Sequence, residues 1–241
     1  MRYNGINPKT LAGCISVRRE TLPAKSRDAE PLETSAGKVL GYISEETAAY
    51  TLEININAKS KEEAGEAWLK LAAWAEGDGG LQRLEPDGLR MKAFDAALES
   101  ITPMEGNARA GTCKITWLVP DAHPYSTIES RMTGSGGTVA VWSGGTRSTD
   151  LRVEIIPAAA KSGLTISMDG AAFFQMSGSI PAKARVVVDL ARELVTVDGT
   201  DRTADVDWQT TDYTRQLPPG RHTISTDAGG SITARWRDRW G

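Results

Sequence analysis

The sequence predicts a mainly β protein in two parts. An α+β first part is built as an antiparallel sandwich or barrel with one helix, and the second part is all strand. Three observations carry this. Apolar and polar residues alternate with a period of two through much of the chain, the pattern of strands with one dry face. One stretch, 60–75, switches to the helical period. Beyond residue 138, short strand-like runs follow at close spacing between Gly, Pro and Asp-Gly turns, as they do in two-sheet sandwiches and jelly rolls.

Taken in order, "YTLEININA" places Tyr50, Leu52, Ile54, Ile56 and Ala58 on one face and Thr51, Glu53, Asn55 and Asn57 on the other, a half-buried strand. Ser60 and Glu63 have capping-box spacing. Ala64, Ala67, Trp68, Leu71, Ala72 and Ala75 form an apolar stripe with Trp74 on its edge, and Gly77, Gly79 and Gly80 end the helix. A short strand, a turn at Pro86-Asp87-Gly88 and a longer strand follow, then "GTCKITWLV" with Cys113, Ile115 and Trp117 alternating against Lys114 and Thr116. "PDAHPYSTIESRMTGSGG" reads as a connection. The expected domains are 1–128 and 129–241.

In the second domain "LRVEIIP", "LTISM", "AAFFQ", "ARVVVDL", "ELVTV" and "LPPGRHTIS" read as strands, with two-residue hairpins at Asp169-Gly170 and Asp198-Gly199. The closing "GGSITARWRDRWG" separates Ile232, Ala234, Trp236 and Trp240, interrupted by Asp238, from Ser231, Thr233, Arg235, Arg237 and Arg239. That predicts a final strand with an apolar face and an arginine face.

The 241 residues give room for two cores, and a 40% hydrophobic, 24% charged composition is that of a folded protein. A net charge of -3 argues against a nucleic-acid binder held by a basic surface. The opening "MRYNGINPKTLAG" has no charged n-region followed by an apolar h-region, so no secretory signal is expected. No apolar run approaches the roughly 18 residues of a membrane span. Synthesis in a cytoplasm, with no membrane partner, is the expectation.

Signals for chemistry are weak. Cys14 and Cys113 are too few and too far apart for a zinc site or disulfide framework, and read as reduced thiols. His123 and His222 stand apart from any ligand cluster, and no G-x-S-x-G elbow is present. The glycine clusters lack the G-K-[ST] ending of a phosphate cradle. Asp198, Asp201, Asp205 and Asp207 invite a calcium reading, but their spacing departs from the D-x-D-x-D-G loop and Arg202 lies among them. Asp205 and Asp207 also have the same-face spacing of a general acid/base pair, geometry without a cleft. Trp142 and Trp208 are candidate saccharide contacts if exposed, and otherwise fill the core or an interface. No catalytic residue, cofactor or metal is called for.

The ordered parts resemble the distal tail proteins of long-tailed, non-contractile bacteriophages and their prophages. The likeness is carried by "YNGIN", "ISVRRETLPA", the unit from Tyr50 to Ile101, "DAHPYS", "ARVVVDLARELVTVDG", "LPPGRHTIS" and "ITARWRDRWG". "DAHPYS" departs from the family's F-x-C-x-D-P-Y junction, with Asp121 two residues early and a His before the proline. The resemblance implies a non-enzymatic virion structural protein at the tail tip or baseplate. Its first domain would make a hexameric ring and lumen through which DNA passes, and its second, a galectin-like β-sandwich, would project outward. The ring would link the tail tube protein to the tail-associated hub protein. Arg235, Arg237 and Arg239 are candidate interface residues, with a solvated or intramolecularly paired face as the simpler reading. Two rival functions stand beside this one. A binding protein would recognise a bacterial surface saccharide through Trp142 or Trp208, and a carbohydrate-active enzyme would use Asp205 or Asp207.

Overall fold

The computed structural model describes residues 1–24, 27–34, 37–45 and 47–241, with side chains for 1–24 and 47–241. The chain forms two compact units, Met1–Pro124 and Tyr125–Gly241. The division falls at Pro124/Tyr125, close to the expected 128/129 boundary; Tyr125 bridges Arg239 and the Ser126 N–H donates to the Asp238 carbonyl, at 2.8 Å.

In the first unit the strands are β1 (Arg2–Tyr3), β2 (Ile15–Thr21), β3 (Arg27–Thr34), β4 (Gly37–Glu45), β5 (Ala48–Asn57), β6 (Gln82–Glu85), β7 (Lys92–Ile101), β8 (Glu105–Gly106) and β9 (Ala110–Val119). The main sheet runs β1-β6-β7-β9-β5-β2, all antiparallel, with β8 on β9, while β3 and β4 form a two-stranded ribbon of their own. The sequence reading assigned nothing to residues 27–45. Helix α1 (Lys61–Glu76) follows β5 and packs on the sheet. The Glu63 N–H donates to the Ser60 hydroxyl and the Lys59 N–H to the Glu63 carboxylate, so the expected cap forms. At the other end Gly77 takes a φ of 59° and its N–H donates to the Ala73 carbonyl. Ala64, Ala67, Leu71, Trp74 and Ala75 are buried. Trp74 replaces Trp68 as the helix's core aromatic, because its ring meets Tyr3 and Trp117 with centroids 6.0 and 5.7 Å away. Tyr50 completes this cluster at 5.8 Å from Trp117. The Trp117 indole N–H donates to the Ala75 carbonyl, at 3.3 Å, so its burial leaves no orphaned donor.

The second unit contains β10 (Tyr125–Ser126), β11 (Ser130–Ser135), β12 (Thr138–Ser143), β13 (Leu151–Ile156), β14 (Lys161–Met168), β15 (Ala171–Ile180), β16 (Val186–Asp189), β17 (Leu194–Val197), β18 (Thr200–Asp201), β19 (Gly220–Thr226) and β20 (Ser231–Trp236). A six-stranded sheet in the order β11-β20-β13-β16-β17-β18 and a four-stranded sheet in the order β12-β19-β14-β15 bury one continuous core. The predicted hairpins hold: Asp169 and Gly170 have φ of 52° and 86°, Asp198 and Gly199 of 49° and 80°, the left-handed pair that a two-residue turn requires. A register shift in β14–β15 pairs Ile166 with Phe174 and Ser167 with Ala172. Phe173 is the extra residue, which lets both phenylalanines face the core. Residues 130–135, expected as connection, are instead strand β11, held by its pairing to β20.

Candidate functional site

The arginine face of the final strand is largely used within the second unit. β20 ends at Trp236, and the next residues lace the unit's ends together. The Arg237 guanidinium donates to the Ser126 and Thr127 carbonyls at 3.1 and 2.8 Å. One Asp238 carboxylate oxygen accepts from the Trp236 indole at 2.9 Å, the Ser143 hydroxyl at 3.1 Å and the Gly144 N–H at 3.1 Å. Arg239 bridges Arg147 through its backbone, and its carbonyl accepts from Thr146 and Arg147. A Cβ at Gly145 would lie 2.2 Å from that carbonyl oxygen, so only glycine lets the two segments approach this closely. Strand alternation therefore stops short of Trp240. Thr233, on the expected wet face, is buried beside Thr133, the hydroxyls 2.9 Å apart.

Arg235 lies in a row that no single stretch of sequence reveals. Register sets it directly opposite Arg131 on β11 and Arg152 on β13, with Asp189 opposite Arg152 in turn. Arg235 pairs with Glu129 at 3.1 Å and approaches Glu154 at 3.8 Å, and Glu154 also takes Arg185 at 2.8 Å. The Arg185 hydrogen bond, with the charges of Arg185, Arg235 and Arg131, holds the Glu154 carboxyl below the ordinary glutamate value against the opposing effect of burial. Arg131 and Arg152 are both exposed. Like charges directly opposite across a sheet are destabilising, so this face carries positive charge that its own carboxylates only partly offset.

Both candidate tryptophans are at the surface rather than in the core, Trp142 64% and Trp208 55% exposed. Trp142 is on β12, whose Val139, Val141 and Ser143 face inward, and it stands opposite Arg221. Trp208 rides on the loop after a short 3-10 turn at Thr203–Asp205 and packs against Tyr213 at a tilt of 36°, centroids 5.2 Å apart.

The remaining candidates are structural in their contacts. Asp205 pairs with Arg202, and Asp207 accepts from the Gln209 N–H, so each carboxylate has a local partner of its own. Among the described residues no cluster of His, Cys, Asp and Glu could hold a metal ion. His222 Nδ1 meets Asp169 at 2.7 Å, and the Asp169 carboxylate also accepts from the Thr223 N–H, so both its partners lower its affinity for a proton. His123 is buried, 2.6 Å from Asp121. Both cysteines are free thiols, and burial pushes Cys113 up to about 11. Among the described residues no helix is long and apolar enough to cross a membrane.

Comparison with known proteins bears on this architecture. The family model for the siphovirus-type tail component, C-terminal domain, matches residues 144–240. The fold of the whole chain is similar to the crystal structure of SPP1 Dit (gp 19.1), a paradigm of hub adsorption apparatus in phages infecting Gram-positive bacteria. The TM-score is 0.80 at 12% identity, covering 98% of this chain and 97% of that one. It is also similar to chains of the phage p2 baseplate in its activated conformation, with calcium (TM-score 0.58, 10% identity, 94% and 91% covered) and with strontium (0.58, 10%, 93% and 90%). No sequence match to a curated protein was found. Residues 144–240 thus match the model of the siphovirus-type tail component, C-terminal domain, on a chain whose fold is similar to that of SPP1 Dit along essentially its whole length.

Proposed function

We propose that this chain is a non-enzymatic ring adaptor at the tail tip of a long, non-contractile-tailed phage or prophage. Six copies close a ring between the tail tube and the tail-associated hub, the first unit forming the ring and its lumen. The observation that carries this is the likeness in fold to SPP1 Dit along essentially the whole length of both chains. Physical features support it. A cyclic ring needs two different, complementary patches on each subunit. The first unit offers a sheet whose edge strand β2, among the described residues, pairs with β5 alone and is bulged at Arg18, together with the β3–β4 ribbon. The net charge of -3 is compatible with a lumen past which DNA slides without being held.

In this reading the arginine-bearing sheet face of the second unit contacts a neighbouring subunit or tail protein. Arg235 and Arg237 already serve internal contacts, so Arg131 and Arg152 are the cations that face would offer. Light scattering of the purified protein tests the ring: the mass should be six times that of one chain, or a multiple. A monomer at every concentration, together with complete tail tips in a phage lacking the gene, would overturn the reading.

A further inference from the structure

The loop bearing Trp208 has features that assembly of the fold does not call for. Asp207 N–H donates to the Gln175 carbonyl at 3.0 Å, Asp212 N–H to the Phe173 carbonyl at 2.7 Å, and Gln175 N–H to the Thr211 hydroxyl at 3.0 Å. The Thr210 hydroxyl also donates to the Gln175 side chain, at 3.1 Å. The loop is thus sewn along the edge of β15, which caps that edge against pairing with another chain. The Trp208 ring packs against Tyr213 at a tilt of 36°, centroids 5.2 Å apart, and Tyr213 in turn meets the core residue Phe174 edge-on, centroids 6.3 Å apart. The indole is anchored through two rings to the core, yet 55% of Trp208 stays in water.

Burial elsewhere in the unit shows that an indole can be accommodated, since Trp236 is 4% exposed. Holding a large apolar ring rigidly at the surface forgoes that stabilisation. What surrounds it decides between partners. The core of a protein interface needs a contiguous apolar patch, but along the chain Trp208 is flanked by Asp205, Asp207, Gln209, Thr210, Thr211 and Asp212, and the one apolar neighbour, Val206, is buried. A single rigid aromatic face within a polar frame matches a pyranose ring. The sugar's C–H face lies on the π face while its equatorial hydroxyls meet carboxylates and amides, and pre-ordering lowers the entropic cost of binding.

We propose that Trp208, supported by Tyr213, is a pyranose-binding platform on the second unit. It is independent of ring formation. Trp142 lies opposite Arg221 on the β12–β19 pair, not in this loop, and serves as the internal control. The experiment is saturation-transfer NMR and tryptophan fluorescence on the full chain, with methyl glycosides of glucose, galactose, rhamnose and N-acetylglucosamine at millimolar concentration. Transfer to at least one sugar is expected, weakened roughly tenfold or more in Trp208→Ala, unchanged in Trp142→Ala and partly retained in Trp208→Phe. No transfer to any of the four, or binding indifferent to Trp208→Ala in a folded variant, would overturn the proposal. Light-scattering mass on the same samples keeps its failure separate from that of the ring.

Discussion

Replacing Asp238 with alanine should destabilise the second unit strongly although the residue is polar and lies beyond the last strand. One carboxylate oxygen satisfies three donors at once: the Trp236 indole, the Ser143 hydroxyl and the Gly144 N–H. Trp236 and Ser143 are 4% and 2% exposed, so water does not readily take over the lost role. A hydrogen bond to a charged acceptor is worth about 1.5–3 kcal/mol, and orphaning a buried donor costs about 1–3 kcal/mol. The three share one acceptor and are not additive, so a loss of about 3–4 kcal/mol is expected. For a domain of this size that lowers the unfolding midpoint by about 10–15 °C. Asp238→Asn keeps a carbonyl acceptor and loses only the charge, so about 1 kcal/mol should go. Calorimetry resolves the second unit's transition, and urea titration followed by tryptophan fluorescence checks it. If Asp238→Ala unfolds within about 0.5 kcal/mol of the parent, the three contacts are not what holds the closing segment, and the reasoning fails.

Gly145→Ala puts a methyl group against the Arg239 backbone, where a Cβ would sit 2.2 Å from the carbonyl oxygen. A cost of about 2 kcal/mol or more, with faster amide exchange at Thr146 and Gly241, is expected. Ser60→Ala removes the hydroxyl that accepts from Glu63 and should cost the first unit about 1 kcal/mol, with Ser60→Gly milder; urea unfolding measures both. Glu154 titrates below its ordinary value of 4.5, chiefly through Arg185. Its contribution to stability is therefore full above pH 4.5 and lost as pH falls through the depressed folded value. Glu154→Gln should flatten the stability profile of the second unit in that acid window, and a profile identical to the parent's would refute the assignment.

How much of this was legible in the sequence depends on whether a feature is local. Helix α1 was readable to within a residue, because Ser60 and Gly77 mark its ends by chemistry that acts over one turn. Strands β5 and β9 announced themselves through strict alternation. β11 did not: "SRMTGS" has the Gly and Ser content of a loop, and only its long-range pairing with β20 makes it a strand. The sequence left Trp142 open between surface and core; in β12 Val139, Val141 and Ser143 face inward, and Trp142 lies on the opposite, exposed side. The arginine triplet Arg131, Arg235 and Arg152 was invisible because register, not spacing, creates it. The helix stripe was right in angle but assigned the core aromatic to Trp68, since a helical wheel cannot know where Tyr3 and Trp117 lie.

The position of β20 has a consequence for how the protein is made. It is inserted between β11 and β13, and the Thr133–Thr233 contact joins residues 100 positions apart. Translation at about 5–20 residues per second leaves β11 without a sheet partner for about 5–20 seconds after it is synthesised. The first unit has all its strands by then and can fold on the ribosome. The second waits for its penultimate segment, a nascent half-sandwich with β11 and β13 each offering an unfilled edge to whatever chaperone or neighbouring chain arrives first.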